Sequence, residues 1–446
     1  MKETILAGKA RLTAFFDAAT FVELNAHMRR ASDISENEGV VCGYGALDGR
    51  LVFAFAQDAS AMKGALDGRH AEKIAALYAK ALSVGAPVVG FFDCAGAVVF
   101  EGAAALSGYG KLLATVASAS GVIPQIAVID GVCAGTMAAV AALFDFTVLS
   151  NESKLYVGSP TQLGDAVATA AYAAEKRGVA LVADDTAQAV RTLLSYLPDH
   201  CASGAPNTAL DDANRAVALA DYTDAATALN AVVDQGTLLA LYEGIAPNVK
   251  IGLARMGGAP AAVLAIDGEL TVAALSKMRN LVSFADAFAL PVMSLVNCEG
   301  LATSAEDEPR LAAAMADLAL VLAKSTAPRV TAIVGAAIGA GFLFGGAKEL
   351  GADLVLALPG AEIAALTAPA AVAFLWNDRI TGEISRADLE KEWTRTVATP
   401  ENAAATGAID DIVAPAELRA RLIAALYMLE GKANGAPVRR HAVRPM

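Results

Sequence analysis

Histidine and cysteine are scarce in this chain, and their spacing excludes the commonest metal and disulfide chemistry. The four histidines, His27, His70, His200 and His441, form neither an HxxxH nor an HExxH arrangement, so they offer no recognisable zinc site. The five cysteines include no CxxC pair, and an odd number at wide spacing does not indicate a disulfide framework. We therefore expect no metal centre and a reducing, cytoplasmic environment.

Positively charged residues are also scarce relative to negatively charged ones. The chain has 34 lysines and arginines against 47 aspartates and glutamates, which gives a net charge of −13 and a pI near 4.9. Such an acidic balance argues against a surface that binds nucleic acid by neutralising its phosphates. We expect no nucleic-acid partner.

A long apolar run is also missing, although 56% of the residues are hydrophobic, many of them alanine, and the mean hydropathy is +0.48. The charge-free stretch at residues 330–346 has only 17 residues, five of them glycine. A membrane-spanning helix needs ~20 predominantly apolar residues. The pattern therefore favours a buried strand, a glycine turn and a helix. The N-terminal segment lacks the apolar region and the cleavage site of an export signal.

What the sequence does contain is an internal repeat at a constant offset of 204 residues. In each half a proline precedes an apolar run that ends in a polar residue, a cysteine and, two residues later, a glycine, at residues 87–96 and 291–300. An aspartate before a later apolar run recurs at an offset of 208, as Asp145 and Asp353, which indicates a small insertion. The offset of 204 also relates Pro124 to Pro328, Gly131 to Gly335 and Gly135 to Gly339.

The repeat and the length of 446 residues predict two similar domains. Each half alternates short apolar runs, glycine turns and alanine-rich stretches, a pattern typical of an α/β fold with buried strands. We place the domains at residues 1–222 and 223–446, connected by a segment at about 195–221 that is rich in Pro, Ser, Asn and Asp. A hairpin opens each half, with turns at Asp48-Gly49 and Gly257-Gly258.

The glycine turns are candidate anion sites. A turn between a buried strand and a helix leaves main-chain N–H groups at the helix start without intrahelical acceptors. A second loop accompanies each turn, at residues 94–97 and 297–300. The alternative interpretation is that these glycines serve only positive φ or close strand–helix packing. The turn residues are Gly135 and Thr136 in the first half and Gly339, Ala340 and Gly341 in the second.

With these features in place, the chain resembles the carboxyltransferase subunits of biotin-dependent acyl-CoA carboxylases and of sodium-pumping acyl-CoA decarboxylases. The resemblance implies an internally duplicated α/β fold of tandem crotonase-like (ClpP/crotonase) ββα-spiral domains. It also implies dimers in which each active site lies between the N-terminal domain of one chain and the C-terminal domain of its partner. The segments that carry it are residues 11–24, 43–58, 70–74, 119–135, 190–198, 242–260, 284–292 and 405–419.

The resemblance implies that a carboxyl group moves between carboxybiotin and a short-chain acyl-CoA through a thioester enolate. The first domain would bind the acyl-CoA and the second the biotin. Gly135 and Thr136 would face the oxyanion of the thioester, while Ala340 and Gly341 would face the biotin oxygen. One such main-chain donor is typically worth ~3 kcal/mol of barrier. No side-chain base is required, because the released biotin can take the α-proton.

The same resemblance supplies the other candidate contacts. Lys63, Arg69 and Lys73 would meet the CoA phosphates, although solvated helix charges are the alternative for these three residues. The remaining candidate substrate-binding residues belong to the loops and strand ends beside the glycine turns, and no metal ligand is expected. They are Ala95, Gly96, Ala97, Cys133, Ala134, Asn297 and Gly300.

The resemblance is to a carboxyltransferase without a biotinyl or a biotin carboxylase domain, so it implies separate partner proteins. The chain would need a biotin carboxyl carrier protein, with either a biotin carboxylase or a membrane decarboxylase subunit. It would itself form a homo-oligomer, as a dimer or a trimer of dimers, in the cytoplasm or at the periphery of a membrane complex.

Three loops depart from the family pattern. The family's SGGAR loop is here residues 94–98 and ends in Val98, its TPGFLPG loop is residues 298–304, and Thr136 replaces the second glycine of CAGG. These changes leave two alternatives open. One is a catalytically silent paralogue that acts as a structural or regulatory subunit. The other is a crotonase-type hydratase or thioesterase with Glu101 as its base.

Overall fold

The computed structural model describes residues 7–30, 33–199, 205–208, 211–220 and 223–432. Among these, the residues up to Pro206 together with Tyr242–Ile245 form a first unit. Residues Asn207–Leu241 and those from Ala246 onward form a second unit. The division falls within the predicted connecting segment, of which residues 200–204, 209–210 and 221 lie outside the described residues, as do His200, Cys201 and His441.

The first unit is built on one eight-stranded sheet with the order β1-β2-β3-β4-β5-β6-β8, and β7 also pairs with β5. Its strands are β1 Val22–Leu24, β2 Val40–Leu47, β3 Arg50–Gln57, β4 Val88–Cys94, β5 Gln125–Ala134, β6 Phe146–Leu149, β7 Lys154–Tyr156 and β8 Leu181–Val182. Its helices are α1 Ala7–Phe15, α2 Gly68–Val84, α3 Ala103–Ala119, α4 Thr136–Ala141, α5 Pro160–Leu163, α6 Ala170–Lys176 and α7 Thr186–Ser195.

The second unit repeats this sheet strand for strand, in the order β9-β10-β11-β12-β13-β14-β16, with β15 pairing β13. Its helices are α8 Ala225–Val232, α9 Val272–Ala287, α10 Glu308–Lys324, α11 Ala340–Gly346, α12 Ala368–Leu375, α13 Arg386–Thr396, α14 Pro400–Ala405 and α15 Leu418–Met428. Its strands are β9 Leu239–Leu241, β10 Val249–Met256, β11 Ala259–Leu270, β12 Val292–Leu301, β13 Arg329–Ile338, β14 Leu354–Ala357, β15 Glu362–Ala364 and β16 Asp411–Ile412.

Both predicted hairpins are confirmed. Strands β2 and β3 pair antiparallel across Asp48 and Gly49, and β10 and β11 pair antiparallel across Gly257 and Gly258. All four turn residues have positive φ, at 51°, 78°, 60° and 88° in chain order. Two consecutive positive φ values characterise the tight turns that match the twist of a hairpin.

The remaining pairings from β3 to β8 and from β11 to β16 are parallel. The register shifts between Phe92 and Cys94 on β4, and again between Val296 and Cys298 on β12. These shifts are 204 residues apart, as the repeat requires. They lie near the carboxyl ends of the central strands, where ligands of open α/β sheets usually bind.

Helix α2 shows how local sequence produces the elements around the sheet. Asp67 accepts a hydrogen bond from the His70 N–H at its start, and Gly85 adopts the left-handed conformation at its end. Between these caps, Ile74, Leu77 and other inward residues join a core with the sheet. The second unit has its own core, which includes residues of β10–β14, α8 and α15.

The charge-free run at 330–346 forms all of β13 after Arg329, the turn at Gly339 and α11, as predicted. Among the residues that the structure describes, every helix is too short or too polar to cross a bilayer.

Candidate active site

The turn after β5 carries the first predicted anion site. Gly135 has φ 62° and ψ −132°, a conformation that residues with a Cβ rarely adopt. Its N–H donates to the carbonyl of Tyr156 on β7 at 2.9 Å, and its carbonyl accepts from the Ala138 N–H at 3.1 Å. The amides of Thr136 and Met137 begin α4, so neither has an intrahelical acceptor.

The turn after β13 repeats this arrangement. Gly339 has φ 52° and ψ −119°, and its N–H donates to the carbonyl of Ala364 on β15 at 2.8 Å. Phe342 returns a hydrogen bond to the carbonyl of Gly339 at 3.2 Å. The two amides that begin α11 without an intrahelical acceptor are those of Ala340 and Gly341.

This geometry corrects one expectation for the first unit. The N–H of Gly135 cannot serve an oxyanion while it is hydrogen-bonded to Tyr156, which lies on the short strand beside it. The donor pair that corresponds to Ala340 and Gly341 is therefore Thr136 and Met137. Met137 was not among the predicted residues. The repeat offset of 204 would have pointed to it, since 341 less 204 is 137.

The loop after β4 lies beside this first turn, since Cys94 is the strand neighbour of Cys133. The Cys94 thiol donates to the carbonyl of Gly96 at 3.3 Å, which closes a tight bend. The Ala95 N–H donates to the carbonyl of Lys63 at 3.0 Å, so the loop is also tied to the turn at Met62–Gly64. The structure thus brings together Ala95, Gly96, Ala97, Cys133, Ala134, Gly135 and Thr136.

The corresponding loop of the second unit has the same bend. The Cys298 thiol donates to the carbonyl of Gly300 at 3.5 Å. Asn297 accepts the Ala336 N–H at 2.9 Å and donates its side-chain amide to Asp267 at 3.1 Å. A Cβ at Gly341 would lie 2.7 Å from the Cys298 sulfur, so the helix start packs tightly against this loop.

Three of the cysteines at these turns are buried thiols that stay protonated. Burial raises the pKa of Cys298 to about 11, and it also raises the pKa values of Cys94 and Cys133 above the usual thiol range. A protonated thiol is a poor nucleophile. The chemistry available at the two turns is therefore that of main-chain amides.

The three predicted phosphate ligands separate into two environments. Lys63 and Arg69 are exposed, and the Arg69 guanidinium donates to the carbonyl of Arg29 at 3.1 Å. Lys73 is instead buried, with a side chain only 3% exposed and an ammonium 4.0 Å from Glu23. Its place on the inner face of α2, three residues after His70, explains this burial. The burial of Lys73 does not fit the expectation that it reaches a CoA phosphate.

The substituted loops also have definite environments. Val98, where the family pattern has arginine, is buried at 3% exposure, and its N–H donates to the Leu66 carbonyl at 2.9 Å. Thr136 and Glu299 are exposed, whereas Glu101 is partly exposed on the single turn Val99–Glu101. The change at Val98 therefore replaces a charge with a core contact.

Comparison with known proteins shows the family. The sequence model of the carboxyl transferase domain family matches residues 6–443 of this chain. The chain is 32% identical to the carboxyltransferase subunit of propionyl-CoA carboxylase from Haloferax mediterranei, over 99% of this chain and 93% of that protein. It is 30% identical to the alpha subunit of methylmalonyl-CoA decarboxylase from Propionigenium modestum, again over 99% and 93% of the two chains.

A solved structure of transcarboxylase 12S, with methylmalonyl-coenzyme A bound, superposes with a TM-score of 0.90. It is 28% identical and covers 98% of this chain and 92% of its own. The predicted crotonase-like fold is thus confirmed. The relatives are named for carboxylases and decarboxylases, which does not favour a silent paralogue. The chain therefore belongs to the carboxyl transferase family, whose relatives named above are subunits of an acyl-CoA carboxylase and of an acyl-CoA decarboxylase.

Proposed function

We propose that the first unit binds a short-chain acyl-CoA and that the second unit binds the biotin of a separate carrier protein. One observation supports this division. Each unit holds its turn glycine by a hydrogen bond to a short parallel strand, and each leaves the next two amides at the start of a helix. Two such amide pairs suit a reaction in which negative charge develops on two different oxygens.

In the first unit, the amides of Thr136 and Met137 would donate to the thioester oxygen. Loss of a proton, or of CO2 from a carboxylate on the α-carbon, leaves an electron pair that spreads onto this oxygen as an enolate. Donors already held in place stabilise that charge without reorganising. The threonine side chain changes the approach to the amides, but it leaves the N–H group intact.

In the second unit, the amides of Ala340 and Gly341 would hold the ureido oxygen of biotin. The residues fit this group, since a neutral urea oxygen needs hydrogen-bond donors and the turn offers two main-chain N–H groups. Bound carboxybiotin supplies the carboxyl group of the reaction. Asn297 and Gly300 would shape the loop that faces it.

The acyl group is best taken as a short one. The relatives are named for propionyl-CoA and methylmalonyl-CoA, and one solved neighbour holds methylmalonyl-coenzyme A. We infer acetyl-, propionyl- or methylmalonyl-CoA as the substrate, in either direction of carboxyl transfer. We propose that Lys63 and Arg69, which are both exposed, would meet the CoA phosphates.

The proposed partners are those that the resemblance implies. They are a biotin carboxyl carrier protein and either a biotin carboxylase or a membrane decarboxylase subunit. Homologues include hexameric transcarboxylase 12S, so we propose a homo-oligomer built from dimers for this chain as well, located in the cytoplasm.

The direct test uses the purified chain with methylmalonyl-CoA and either free biotin or a biotinylated carrier protein. Mass spectrometry should show biotin-dependent formation of propionyl-CoA. A matched reaction without biotin should show none. Absence of turnover with acetyl-, propionyl- and methylmalonyl-CoA, in protein that is folded and oligomeric, would contradict the proposal.

A further inference from the structure

A buried line of polar side chains lies beneath the first turn, and no step of the reaction proposed above uses it. Glu38, Gln57 and His70 are 3%, 2% and 0% exposed. The Nδ1 atom of His70 lies 3.5 Å from the Oε1 atom of Glu38. On the other side of the imidazole, Nε2 lies 3.2 Å from the Nε2 atom of Gln57. The three side chains therefore form a continuous line inside the first unit.

Gln57 connects this line to both loops of the site. Its Oε1 atom accepts the N–H of Asp93 at 3.2 Å, directly before the loop at residues 94–97. Its Nε2 atom donates toward the sulfur of Met137 at 4.0 Å, in the first turn of α4. One amide group thus contacts the residue before the loop at 94–97 and the start of α4, which carries the candidate main-chain donors.

The hydrogen bonds also fix the imidazole. Because Oε1 of Gln57 is the acceptor for a main-chain N–H, its Nε2 group is the donor toward His70. His70 then accepts at Nε2, while its Nδ1 atom faces Glu38 at 3.5 Å without a hydrogen bond. Glu38 is itself held by the N–H of Gly39 at 2.8 Å. The hydrogen bond from Gln57 therefore orients the imidazole, and Glu38 adds a contact at ion-pair distance.

The second unit provides an internal comparison, because it builds the same elements without this line. Gln57 follows Ala56, the partner of Phe91 on β4. Ile266 occupies the same place on β11, after the partner of Leu295 on β12. Likewise Ala274 replaces His70 as the residue whose N–H binds the helix cap.

Folding of such a unit therefore does not require these polar groups. Burying an amide and an imidazole costs free energy that apolar side chains avoid. The second unit has apolar residues at both places. A polar line confined to the unit of the acyl-CoA turn indicates a role in that turn.

We propose that Gln57 is a positioning residue for acyl-CoA carboxyl transfer, held by His70 and Glu38. It sets the place of Asp93 at the start of the loop and of Met137 at the start of α4. This inference rests on the proposed function of the first turn. A displacement of about 1 Å can cost about a hundredfold in rate when donors and a reacting group must be aligned.

The test compares Gln57→Leu with Gln125→Leu. Gln125 is a buried glutamine of the same unit that binds Tyr78 at 2.8 Å, but it starts β5, at the opposite end from the turn. Both substitutions remove a buried amide, so we expect similar losses of thermal stability. Only Gln57→Leu should lower kcat, by about tenfold to a hundredfold, with little change in KM.

Hydrogen–deuterium exchange gives a readout that needs no turnover. The hydrogen-bonded amides of Asp93, Ala95 and Ala138 should exchange faster in Gln57→Leu than in the wild type, and should be unchanged in Gln125→Leu. A wild type without activity would end the proposed function, while this measurement would still test the positioning role.

His70→Ala supplies a second variant, since alanine already occupies the matching position of α9. Gln57→Glu keeps an acceptor for the Asp93 N–H but removes the donor to His70 and Met137, so exchange at Asp93 and Ala95 should stay slow while Ala138 exchanges faster. Equal kcat and equal exchange in Gln57→Leu, His70→Ala and the wild type would overturn the proposal. Equal losses of kcat in Gln57→Leu and Gln125→Leu would overturn it as well.

Discussion

In each unit an aspartate carboxylate, here called the clamp, accepts two N–H groups of the hairpin turn. The clamp is more deeply buried in the second unit than in the first. In the first unit Asp17 accepts the N–H groups of Asp48 and Gly49, at 3.1 and 2.9 Å. In the second unit Asp234 accepts those of Gly257 and Gly258, at 3.0 and 2.7 Å. Both hairpin turns present two main-chain N–H groups, and in both turns an aspartate carboxylate accepts them.

An arginine completes each clamp. Arg191 on α7 lies 3.5 Å from Asp17, with side chains 23% and 32% exposed. Arg419 on α15 lies 2.7 Å from Asp234, and both side chains are fully buried. The comparison teaches that duplication preserves geometry, whereas the surroundings of each copy set how much the fold depends on it.

The largest difference should come from removing the two arginines. Arg419→Met leaves the Asp234 carboxylate buried without its cation, which typically costs about 3–5 kcal/mol. Arg191→Met leaves a partly solvated carboxylate and should cost at most about 1 kcal/mol. Urea unfolding of the two variants measures both values. Equal losses would show that burial does not separate the clamps.

A second comparison removes one main-chain donor from each unit. Proline is tolerated at the first position of a helix, so Thr136→Pro and Ala340→Pro delete an N–H group while keeping the helix. Each should lower kcat by about a hundredfold or more, the usual effect of losing one oxyanion donor. Thr136→Ala and Ala340→Gly retain the amide and serve as controls.

Carboxyl-transfer assays can then separate the two turns. Loss of CO2 from carboxybiotin in the absence of acyl-CoA depends on the biotin donors alone, so it should fall in Ala340→Pro and persist in Thr136→Pro. Full activity of Thr136→Pro would contradict the assignment of this amide.

The last comparison concerns a pair of aspartates, Asp145 and Asp353, each of which directly precedes a strand. Asp145 accepts the Gln125 N–H at 2.7 Å, and Asp353 accepts the Arg329 N–H at 2.8 Å. Lys432 lies 2.8 Å from Asp353. Burial raises the pKa of Asp145 from 3.8 to about 8.

Stability should depend on pH in a defined direction as a result. Between pH 3.8 and about 8, the folded state keeps the proton on Asp145 and the unfolded chain releases it. Its contribution to stability is therefore full below this interval and is lost as the pH rises, by at most about 1.4 kcal/mol per pH unit. Asp145→Asn should flatten this slope in denaturation curves, and Asp353→Asn should not. An unchanged slope in Asp145→Asn would contradict the prediction.

Features that the sequence predicted correctly depend on local backbone needs. The turns at Gly135 and Gly339 were found because only glycine is comfortable at their φ and ψ, and the hairpins because their turns need two positive φ values. A repeat in sequence then placed the same structures 204 residues apart.

Features that the sequence missed depend on neighbours that are distant along the chain. The Gly135 N–H is hydrogen-bonded because β7, which follows an intervening helix and strand, lies beside it. Lys73 is buried because its face of α2 packs toward the interior. The line from Glu38 through His70 to Gln57 also joins three separate segments. No spacing in the sequence announces it.

The sequence by itself determined that this chain is a duplicated α/β protein of the carboxyl transferase family, with a glycine turn in each half. Tertiary structure decided which main-chain amides remain at each turn, which charged residues stay in water and which polar groups lie beneath the first turn. The reason is physical. Dihedral preferences belong to single residues, whereas hydrogen-bond partners and desolvation are properties of segments brought together by folding.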